Sequence, residues 1–327
     1  MLGENMMSSF YEALAKNPRE NCRVLSIQSH VVHGYAGNKC SVFPLQLHGF
    51  EVDPINSVQF SNHAGTLFEN VAYKYVRGQT LDDAHLSDLY EGLKLNDINE
   101  YSYILTGYCG NPSFLLKIAD IVRDVKKRNP DVIFVCDPVL GDNGRYYTPK
   151  ELMPIYRDML IPLANVITPN VFELSELSGR AITNETECLS AIAAMHEKGV
   201  QTVVVTSGLE TPTTKFCYGS KIIELGKPPI QYRFDIPTLP GMFVGTGDVF
   251  TSLLVVWLEK LDGDMKGAVE RVIGSLQGLL RRTVEKLYAS NPGPDYRPDV
   301  RDLELRLVQS RTDLLLPRFP IKTTKIR

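Results

Sequence analysis

The stretch Val132-Ile133-Phe134-Val135-Cys136-Asp137-Pro138 decides the fold class of this chain. Its continuous apolar run predicts a short strand that is buried on both faces. Strands of this kind are typical of parallel sheets covered by helices. Because Asp137 and Pro138 end the run, we expect the strand to deliver a carboxylate at its carboxyl end.

Strand-like and helical segments alternate on both sides of this stretch. The strand-like runs lie at 23–28, 101–106, 165–168 and 202–206, and helical stretches end near 128, open at 170 and cover 185–197. Such alternation predicts an α/β fold with a mostly parallel central sheet flanked by helices. The active site is then expected at the carboxyl ends of the strands.

The last third of the chain has a different pattern. Residues 210–240 carry five prolines among short β-type runs, which predicts antiparallel strands and a flexible loop. Helices are expected at 247–259 and 265–287, followed by a Pro/Gly loop at 291–298 and a short helix within 300–310. No internal repeat or linker interrupts this order, so we expect a single domain.

Composition and charge exclude several classes of protein. The 327 residues are 43% hydrophobic and 22% charged, as in ordinary globular proteins. The net charge of −3 argues against a general nucleic-acid binder or a polybasic membrane binder. The six cysteines form no CxxC pair, and no apolar segment of signal-peptide length opens the chain. We therefore expect free thiols, no membrane or nucleic-acid partner, and a cytoplasmic location.

The sharpest local motif is Val244-Gly245-Thr246-Gly247-Asp248-Val249-Phe250, which precedes a strongly apolar helix. Backbone N–H groups of Gly245, Thr246 and Gly247 at a helix start form an anion-binding site. Asp248 beside that anion is our candidate for the catalytic base of a hydroxyl-phosphorylating enzyme. Taken alone, the motif also fits an ordinary turn with Asp248 as a helix cap. Phe250 stands where a dinucleotide fingerprint has its third glycine, and no P-loop motif is present.

Polar residues follow three further predicted strands. Asp137 and Asp142 are candidates to hold Mg²⁺ against nucleotide phosphates, although Asp, Pro and Gly are also common turn residues. Asn170 and Glu173 follow Thr168 and also fit a helix capping box. Ser29 ends the first strand and is placed to bind a small polar ring. The convergence of these groups on one crevice favours a site over separate caps and turns.

Taken together, these segments resemble the pyridoxal kinase family of the ribokinase-like superfamily. The matching stretches are SIQSHVVHGYAGNKCSVFPLQLHGFEVDPINSVQFSNH at 26–63, LTGY at 105–108, VCDPVLGD at 135–142, ITPNVFE at 167–173, VVVTSG at 203–208 and FVGTGD at 243–248. The resemblance implies a three-layer ribokinase-like domain over residues 22–310, with an N-terminal extension at 1–21 and a C-terminal tail at 311–327. It also implies transfer of the γ-phosphoryl group of ATP to the 5′-hydroxymethyl group of pyridoxal, pyridoxine or pyridoxamine, typically by a homodimer.

The resemblance also implies roles for individual residues. Asp248 is the base, with Gly245, Thr246 and Gly247 as the anion hole. The vitamin-contacting positions are Ser29, His63, Ala64, Tyr108 and Asp248. The nucleotide-contacting positions are Asp142, Tyr147, Asn170, Thr206, Ser207, Phe234, Thr238, Phe243, Gly245 and Gly247. Asp137, Thr168 and Glu173 match positions tied to a divalent cation, Mg²⁺ or another such as Zn²⁺, and to K⁺ or Na⁺.

The chain departs from the family pattern at two places. Ala64 stands where the family commonly has a threonine that contacts the vitamin, so one hydroxyl is lost from the substrate side. The loop after Asp142 is shorter than in the animal enzymes, which leaves Tyr146 and Tyr147 as alternatives for the nucleotide contact. The following Thr148-Pro149 favours Tyr147.

Three alternative functions remain open at this point. A hydroxymethylpyrimidine kinase of the same superfamily is disfavoured by the set Ser29, His63 and Tyr108. A non-catalytic vitamin-binding protein is disfavoured by the presence of Asp248 and its glycines. An NAD-dependent oxidoreductase lacks the glycine fingerprint after the first strand.

Overall fold

The computed structural model describes residues 22–64, 73–290 and 298–327, so the N-terminal extension expected at 1–21 lies outside the described residues. The strands are β1 (Arg23–Val31), β2 (Glu51–Phe60), β3 (Gly78–Thr80), β4 (Tyr103–Thr106), β5 (Ile133–Cys136), β6 (Gly141–Asp142), β7 (Arg145–Tyr146), β8 (Val166–Ile167), β9 (Thr202–Glu210), β10 (Thr214–Lys221), β11 (Ile230–Pro237) and β12 (Lys322–Lys325).

The helices, named in chain order, are α1 (Asn38–Leu47), α2 (Asp83–Leu95), α3 (Pro112–Arg128), α4 (Leu152–Ile155), α5 (Val171–Ser178), α6 (Glu185–Glu197), α7 (Thr246–Lys260), α8 (Met265–Ser290) and α9 (Arg311–Leu315). A π-helical turn at Tyr156–Leu160 and a 3₁₀ turn at Ile161–Leu163 extend α4. Two more 3₁₀ turns, Val300–Leu303 and Val308–Ser310, stand where the sequence predicts one short helix.

Ten strands form one sheet in the order β12-β11-β10-β9-β8-β5-β4-β1-β2-β3. The six strands from β9 to β2 in this order are mutually parallel. β3 adds an antiparallel edge on one side, and β10, β11 and β12 add antiparallel strands on the other. The mostly parallel centre and the antiparallel excursion after residue 210 are both confirmed.

Alternating side chains of the central strands feed two separate cores. On β1, Val24 packs in the core that contains α1, α7 and α8, whereas Leu25 packs in the core that contains α2, α3 and α6. The period of two along a strand sends successive side chains to opposite faces. Both faces of the sheet are therefore covered by helices, and the polar strand ends are left at one edge. All six cysteines are buried and free, as expected.

The C-terminal segment is part of the sheet, in contrast to the expected tail at 311–327. β12 pairs antiparallel with β11, with Thr324 opposite Arg233. An ion pair of 2.9 Å between Lys322 Nζ and Asp235 Oδ2 holds the same edge. Lys-Thr-Thr-Lys has no apolar residue to signal a core, so its pairing depends on the backbone groups that β11 offers. The described ranges contain no helix with the length and apolar character needed to cross a bilayer.

Candidate active site

Gly245 forms the N-cap of α7 in a left-handed conformation with φ of +86°. A Cβ atom there would lie 2.6 Å from the carbonyl oxygen of Tyr35 and 2.7 Å from Cys40 Sγ. Only glycine fits both this conformation and this space. Because glycine has no side chain to cap the helix, the first-turn N–H groups stay available for an anion.

Asp248 lies in the first turn of α7, as the motif predicts. Its Oδ2 accepts a hydrogen bond of 2.7 Å from the N–H of Gly37. Burial raises the pKa of the Asp248 carboxyl to about 6, although the Gly37 hydrogen bond acts in the opposite direction. The group is thus ionised at neutral pH and closer in pKa to a working base than a free aspartate is.

Two more buried carboxyl groups, those of Asp137 and Glu173, share this region. Burial, and after it the charges of Glu173 and Asp248, raise the pKa of Asp137 well above its usual range. Burial also raises the pKa of Glu173 to about 8, despite hydrogen bonds from three backbone N–H groups. No Lys, Arg or His in the described ranges forms an ion pair with these carboxylates. A bound cation would favour the ionised form of these carboxyl groups and so lower their pKa values.

Thr251 joins three parts of the site and was missed by the sequence analysis. Its Oγ1 lies 3.2 Å from Asp137 Oδ2, 3.0 Å from Thr168 Oγ1 and 3.0 Å from the carbonyl oxygen of Gly247. It therefore ties α7 to the ends of β5 and β8. The available signal was a hydroxyl one turn after Asp248, although the neighbouring Ser252 carries one as well.

The oxygen donors fit a hard cation that completes its coordination elsewhere. Asp137 and Thr168 offer a carboxylate and a hydroxyl at neighbouring strand ends. In the residues that the structure describes, no group of three or more His, Cys, Asp or Glu could hold a metal on its own. Mg²⁺ commonly takes one or two carboxylates and fills the remaining positions with phosphates and water, so this donor set suits it.

Glu173 and Asn170 form the capping box that the sequence allowed as an alternative. The backbone N–H groups of Leu140, Gly141 and Asn170 donate to the Glu173 carboxylate. Asn170 Oδ1 accepts from the N–H of Glu173, and its Nδ2 donates to the carbonyl oxygen of Gly141 at 2.7 Å. These contacts fix the loop that carries Asp142 against the start of α5. The hydrogen bonds that cap the helix therefore also hold the site residues together.

The remaining nucleotide candidates lie at the ends of neighbouring strands. Burial raises the pKa of Asp142, whose carboxylate accepts from the N–H of Asn143. The hydroxyl of Tyr146 donates to Glu176, and Tyr147 is 47% exposed. Half-buried Thr206 and Ser207 follow the buried part of β9, and the N–H of Thr206 donates to the carbonyl oxygen of Pro169.

The proline-rich segment carries three of the nucleotide candidates, Phe234, Thr238 and Phe243, and the structure places the first of them in the core. Phe234 is fully buried in the core beside α7 and α8, so the structure does not bring it to the site. Its place follows from the alternation of Ile230, Tyr232, Phe234 and Ile236 along β11. Thr238 is exposed at the end of this strand, and half-buried Phe243 packs against Leu287 and Leu303.

Ser29 lies next to the catalytic region through Gly37. Gly37 has φ of +56°, and a Cβ there would lie 2.0 Å from the carbonyl oxygen of Ser29 and 2.4 Å from its Oγ. The N–H of the same glycine donates to Asp248. The structure thus brings Ser29 and Asp248 to opposite sides of one glycine.

The other substrate-side candidates are Tyr108, His63 and Ala64. Burial raises the pKa of Tyr108, whose carbonyl oxygen accepts from Ser57 Oγ at 2.8 Å. His63 is buried and Ala64 is exposed. Glu304 was missed by the sequence analysis: its carboxylate accepts from the N–H of Tyr35 and lies 3.4 Å from His63 Nε2. The pattern Leu-Glu-Leu-Arg-Leu around it gives no signal of such a role.

Several known proteins are similar to this chain in sequence. A family model described as phosphomethylpyrimidine kinase matches residues 106–292. A putative pyridoxal kinase from Caenorhabditis elegans is 59% identical over 314 residues, which cover 94% of this chain and 95% of that protein. The pyridoxal kinase of Homo sapiens is 42% identical over 322 residues, covering 93% of this chain and 99% of that protein.

A solved structure of pyridoxal kinase from Leishmania donovani in complex with ADP and pyridoxine superposes with a TM-score of 0.83. It is 35% identical in sequence, and the match covers 93% of this chain and 99% of that chain.

Proposed function

This chain belongs to the pyridoxal kinase family, and from that premise we propose that it transfers the γ-phosphoryl group of ATP to the 5′-hydroxymethyl group of pyridoxal, pyridoxine or pyridoxamine. The observation that carries the proposal is the place of Asp248. Its half-buried carboxylate lies between the Ser29–Gly37 contact and the uncapped start of α7.

The residues divide the phosphoryl transfer into two tasks. Asp248 takes the proton from the attacking hydroxyl, since its pKa of about 6 keeps it ionised at neutral pH. The backbone N–H groups of Gly245, Thr246 and Gly247 hold the charge that develops on the transferred phosphoryl oxygens. The buried body of α7 keeps these donors fixed during the reaction.

Cation binding is assigned to the neighbouring strand ends. Asp137, Thr168 and Glu173 would hold the cations between them: a divalent cation, Mg²⁺ or another such as Zn²⁺, beside the phosphates, and K⁺ or Na⁺. These cations supply neutralising charge against the phosphates. The raised pKa of Asp137 supports this assignment, because burial and the charges of Glu173 and Asp248 disfavour its ionised form unless a counter-charge is bound.

Substrate and nucleotide contacts complete the proposal. Ser29, His63, Ala64 and Tyr108 surround the vitamin ring. Asp142, Tyr147, Asn170, Thr206, Ser207, Thr238 and Phe243 lie along the nucleotide. Phe234 has no place in this set because it is a core residue. A homodimer and a cytoplasmic location belong to the same proposal, and light scattering of the purified protein tests the first.

A hydroxymethylpyrimidine kinase is the second candidate, because the matching family model is named for such a substrate class. That match covers residues 106–292 and so excludes Ser29 and His63. The full-length relatives include those positions and are named pyridoxal kinases. Residues that face the vitamin therefore favour the first candidate.

The test is a direct comparison of the rates at which the protein phosphorylates the two substrate classes. Purified protein is incubated with ATP, Mg²⁺ and K⁺ and with either pyridoxal or 4-amino-5-hydroxymethyl-2-methylpyrimidine. We expect kcat/KM for pyridoxal to be at least about 100-fold higher, since a site that pairs polar ring groups rejects a ring lacking them. Equal or reversed values would support the second candidate. Binding of pyridoxal without turnover would support a vitamin-binding protein.

A further inference from the structure

The carboxylate of Glu304, near the C-terminal end of the chain, contacts both the turn at residues 34–37 and His63 on the substrate side. Glu304 Oε2 accepts a hydrogen bond of 3.0 Å from the N–H of Tyr35, across 269 residues of sequence. Its Oε1 accepts one of 3.0 Å from the hydroxyl of Tyr73 and lies 3.4 Å from His63 Nε2. The side chain of Glu304 is 13% exposed and that of His63 is 6% exposed, so water contributes little to this cluster.

Glu304 is ionised at neutral pH. Burial acts to raise the pKa of its carboxyl, but His63, through a hydrogen bond and through its charge when protonated, and the hydrogen bonds from Tyr73 and Tyr35 outweigh burial and hold the pKa below its ordinary value. An ionised carboxylate only accepts hydrogen bonds, so the ring nitrogen of His63 that faces it carries a hydrogen.

The orientation of the His63 ring is fixed from a second side. The Tyr73 ring packs edge-on against it, with ring centroids 5.1 Å apart and an interplanar angle of 67°. With Nε2 donating to Glu304, the neutral ring has its free lone pair on Nδ1. Nδ1 is buried and has no hydrogen-bond partner among the described residues. A buried polar atom without a partner is costly, and its exposure to a ligand donor would remove that cost.

We propose that Glu304 is a positioning residue that fixes His63 in the Nε2–H tautomer, so that Nδ1 accepts a hydrogen bond from a donor group of the vitamin ring. This assignment rests on the proposed function for the identity of the ligand. The tautomer itself is a property of the free protein.

The same carboxylate also holds the turn that reaches the base. Tyr35 lies two residues before Gly37, whose N–H donates to Asp248. A Cβ on Gly34 would lie 2.1 Å from Glu304 Oε1, so the turn packs directly on the carboxylate. Glu304 thus has two separable sets of contacts, one to the turn through Oε2 and one to His63 and Tyr73 through Oε1.

The substitution Glu304→Gln separates these contacts. The amide oxygen can keep the hydrogen bond from Tyr35, which leaves the NH₂ group towards His63 Nε2 and the Tyr73 hydroxyl, so that this hydroxyl turns from donor to acceptor. Since NH₂ donates, Nε2 must become the acceptor and the hydrogen moves to Nδ1. The variant Glu304→Ala removes both contacts. Glu259→Gln is the matched control, because Glu259 also accepts a hydrogen bond from a tyrosine hydroxyl, 2.7 Å from Tyr103.

The first measurement uses no substrate. ¹⁵N–¹H correlation spectra of the histidine rings, recorded at about pH 8 and assigned with a His63→Gln variant, report the tautomer of His63. We expect Nε2–H in the wild type and in Glu259→Gln, and Nδ1–H in Glu304→Gln. A wild-type ring that is protonated on Nδ1, or one that keeps the same tautomer in Glu304→Gln, would overturn the proposal.

The second measurement links the tautomer to binding. In Glu304→Gln we expect the KM for pyridoxal to rise about tenfold, the effect of one lost buried hydrogen bond, while the KM for ATP changes less than about twofold. An unchanged KM for pyridoxal in a variant with the altered tautomer would overturn the substrate role of Nδ1. An inactive wild type with the expected tautomer would instead contradict the proposed function, so the two failures are distinguishable.

Discussion

The residues that we propose for phosphoryl transfer, the phosphoryl side (Asp137, Thr168 and residues 245–248), lie in short segments at the ends of neighbouring elements. Those that we propose for vitamin binding, the vitamin side (Ser29, residues 34–37, His63 and Glu304), are held by side-chain contacts between segments as far as 269 residues apart. Backbone N–H groups and a buried helix supply the first, whereas one carboxylate and one histidine organise the second.

This difference teaches how the two tasks of such an enzyme are divided. Phosphoryl transfer needs fixed donors, and these come from backbone that few substitutions can move. Selection of the acceptor depends on a few side-chain hydrogen bonds, which can change one at a time. The family model that spans 106–292 covers the phosphoryl side and stops short of most of the vitamin side.

The largest effect is expected at the base on the phosphoryl side. Asp248→Asn keeps the shape and can still accept from Gly37, but an amide cannot take the proton of the hydroxyl. We expect kcat to fall on the order of 10³-fold, with the KM for pyridoxal changed less than about threefold. The control is Asp88→Asn, an exposed aspartate on α2. Retention of more than a tenth of the wild-type kcat would contradict a base role.

The glycine of the anion loop is expected to give the next largest effect. Gly245→Ala places a methyl group 2.6 Å from the Tyr35 carbonyl oxygen in a left-handed conformation. We expect kcat/KM to fall about 100-fold and the free energy of unfolding, measured with urea, to fall by about 2–4 kcal/mol. Gly226→Ala has a similar φ of +82° and open space, so it isolates backbone strain and should cost only about 1–2 kcal/mol without loss of activity. Equal losses of stability in Gly245→Ala and Gly226→Ala would mean that the contacts with Tyr35 and Cys40 add nothing to the backbone strain.

The pH dependence should follow the ionisation of the base. Burial raises the pKa of Asp248 to about 6, and only the deprotonated carboxylate can accept a proton. Activity is therefore lost as the pH falls through about 6, and kcat/KM should decrease about tenfold per pH unit below it. Rates measured between about pH 4.5 and 8, with far-UV circular dichroism as a folding control, would show this limb. A flat profile down to about pH 5 would mean that the base titrates elsewhere.

The smallest effect is expected on the vitamin side, at the departure from the family pattern. Ala64→Thr restores a hydroxyl at an exposed position beside His63. A recovered hydrogen bond of about 1 kcal/mol should lower the KM for at least one vitamin form about fivefold and leave kcat unchanged. Ala64→Val adds similar volume without the hydroxyl. If valine lowers KM as much as threonine, packing and not hydrogen bonding is responsible.

The sequence was most informative where a function lies within one short segment. The central strands are mostly apolar runs, so their places along the chain and their burial could be predicted before the fold was known. The anion-binding role of residues 245–248 could also be predicted locally. The start of a helix offers free N–H groups whatever the surrounding fold is.

The parts that could not be predicted depend on contacts between distant segments. Glu304 stands in an ordinary alternating run, and only the folded chain shows that it meets Tyr35 and His63. β12 has no apolar residue and pairs through its backbone. Phe234 is a different case, because the alternation along β11 already indicated a core position that the family resemblance obscured.

The contact between Tyr35 and Glu304 also sets an order of events during synthesis of the chain. Ribosomes add about 5–20 residues per second, so the turn is made roughly 13–54 s before its carboxylate anchor exists. Asp248 is translated within this interval, 211 residues after Gly37, whose N–H donates to it. A nascent chain therefore gains the carboxylate that holds this turn only after every described strand of the sheet except β12 has been translated.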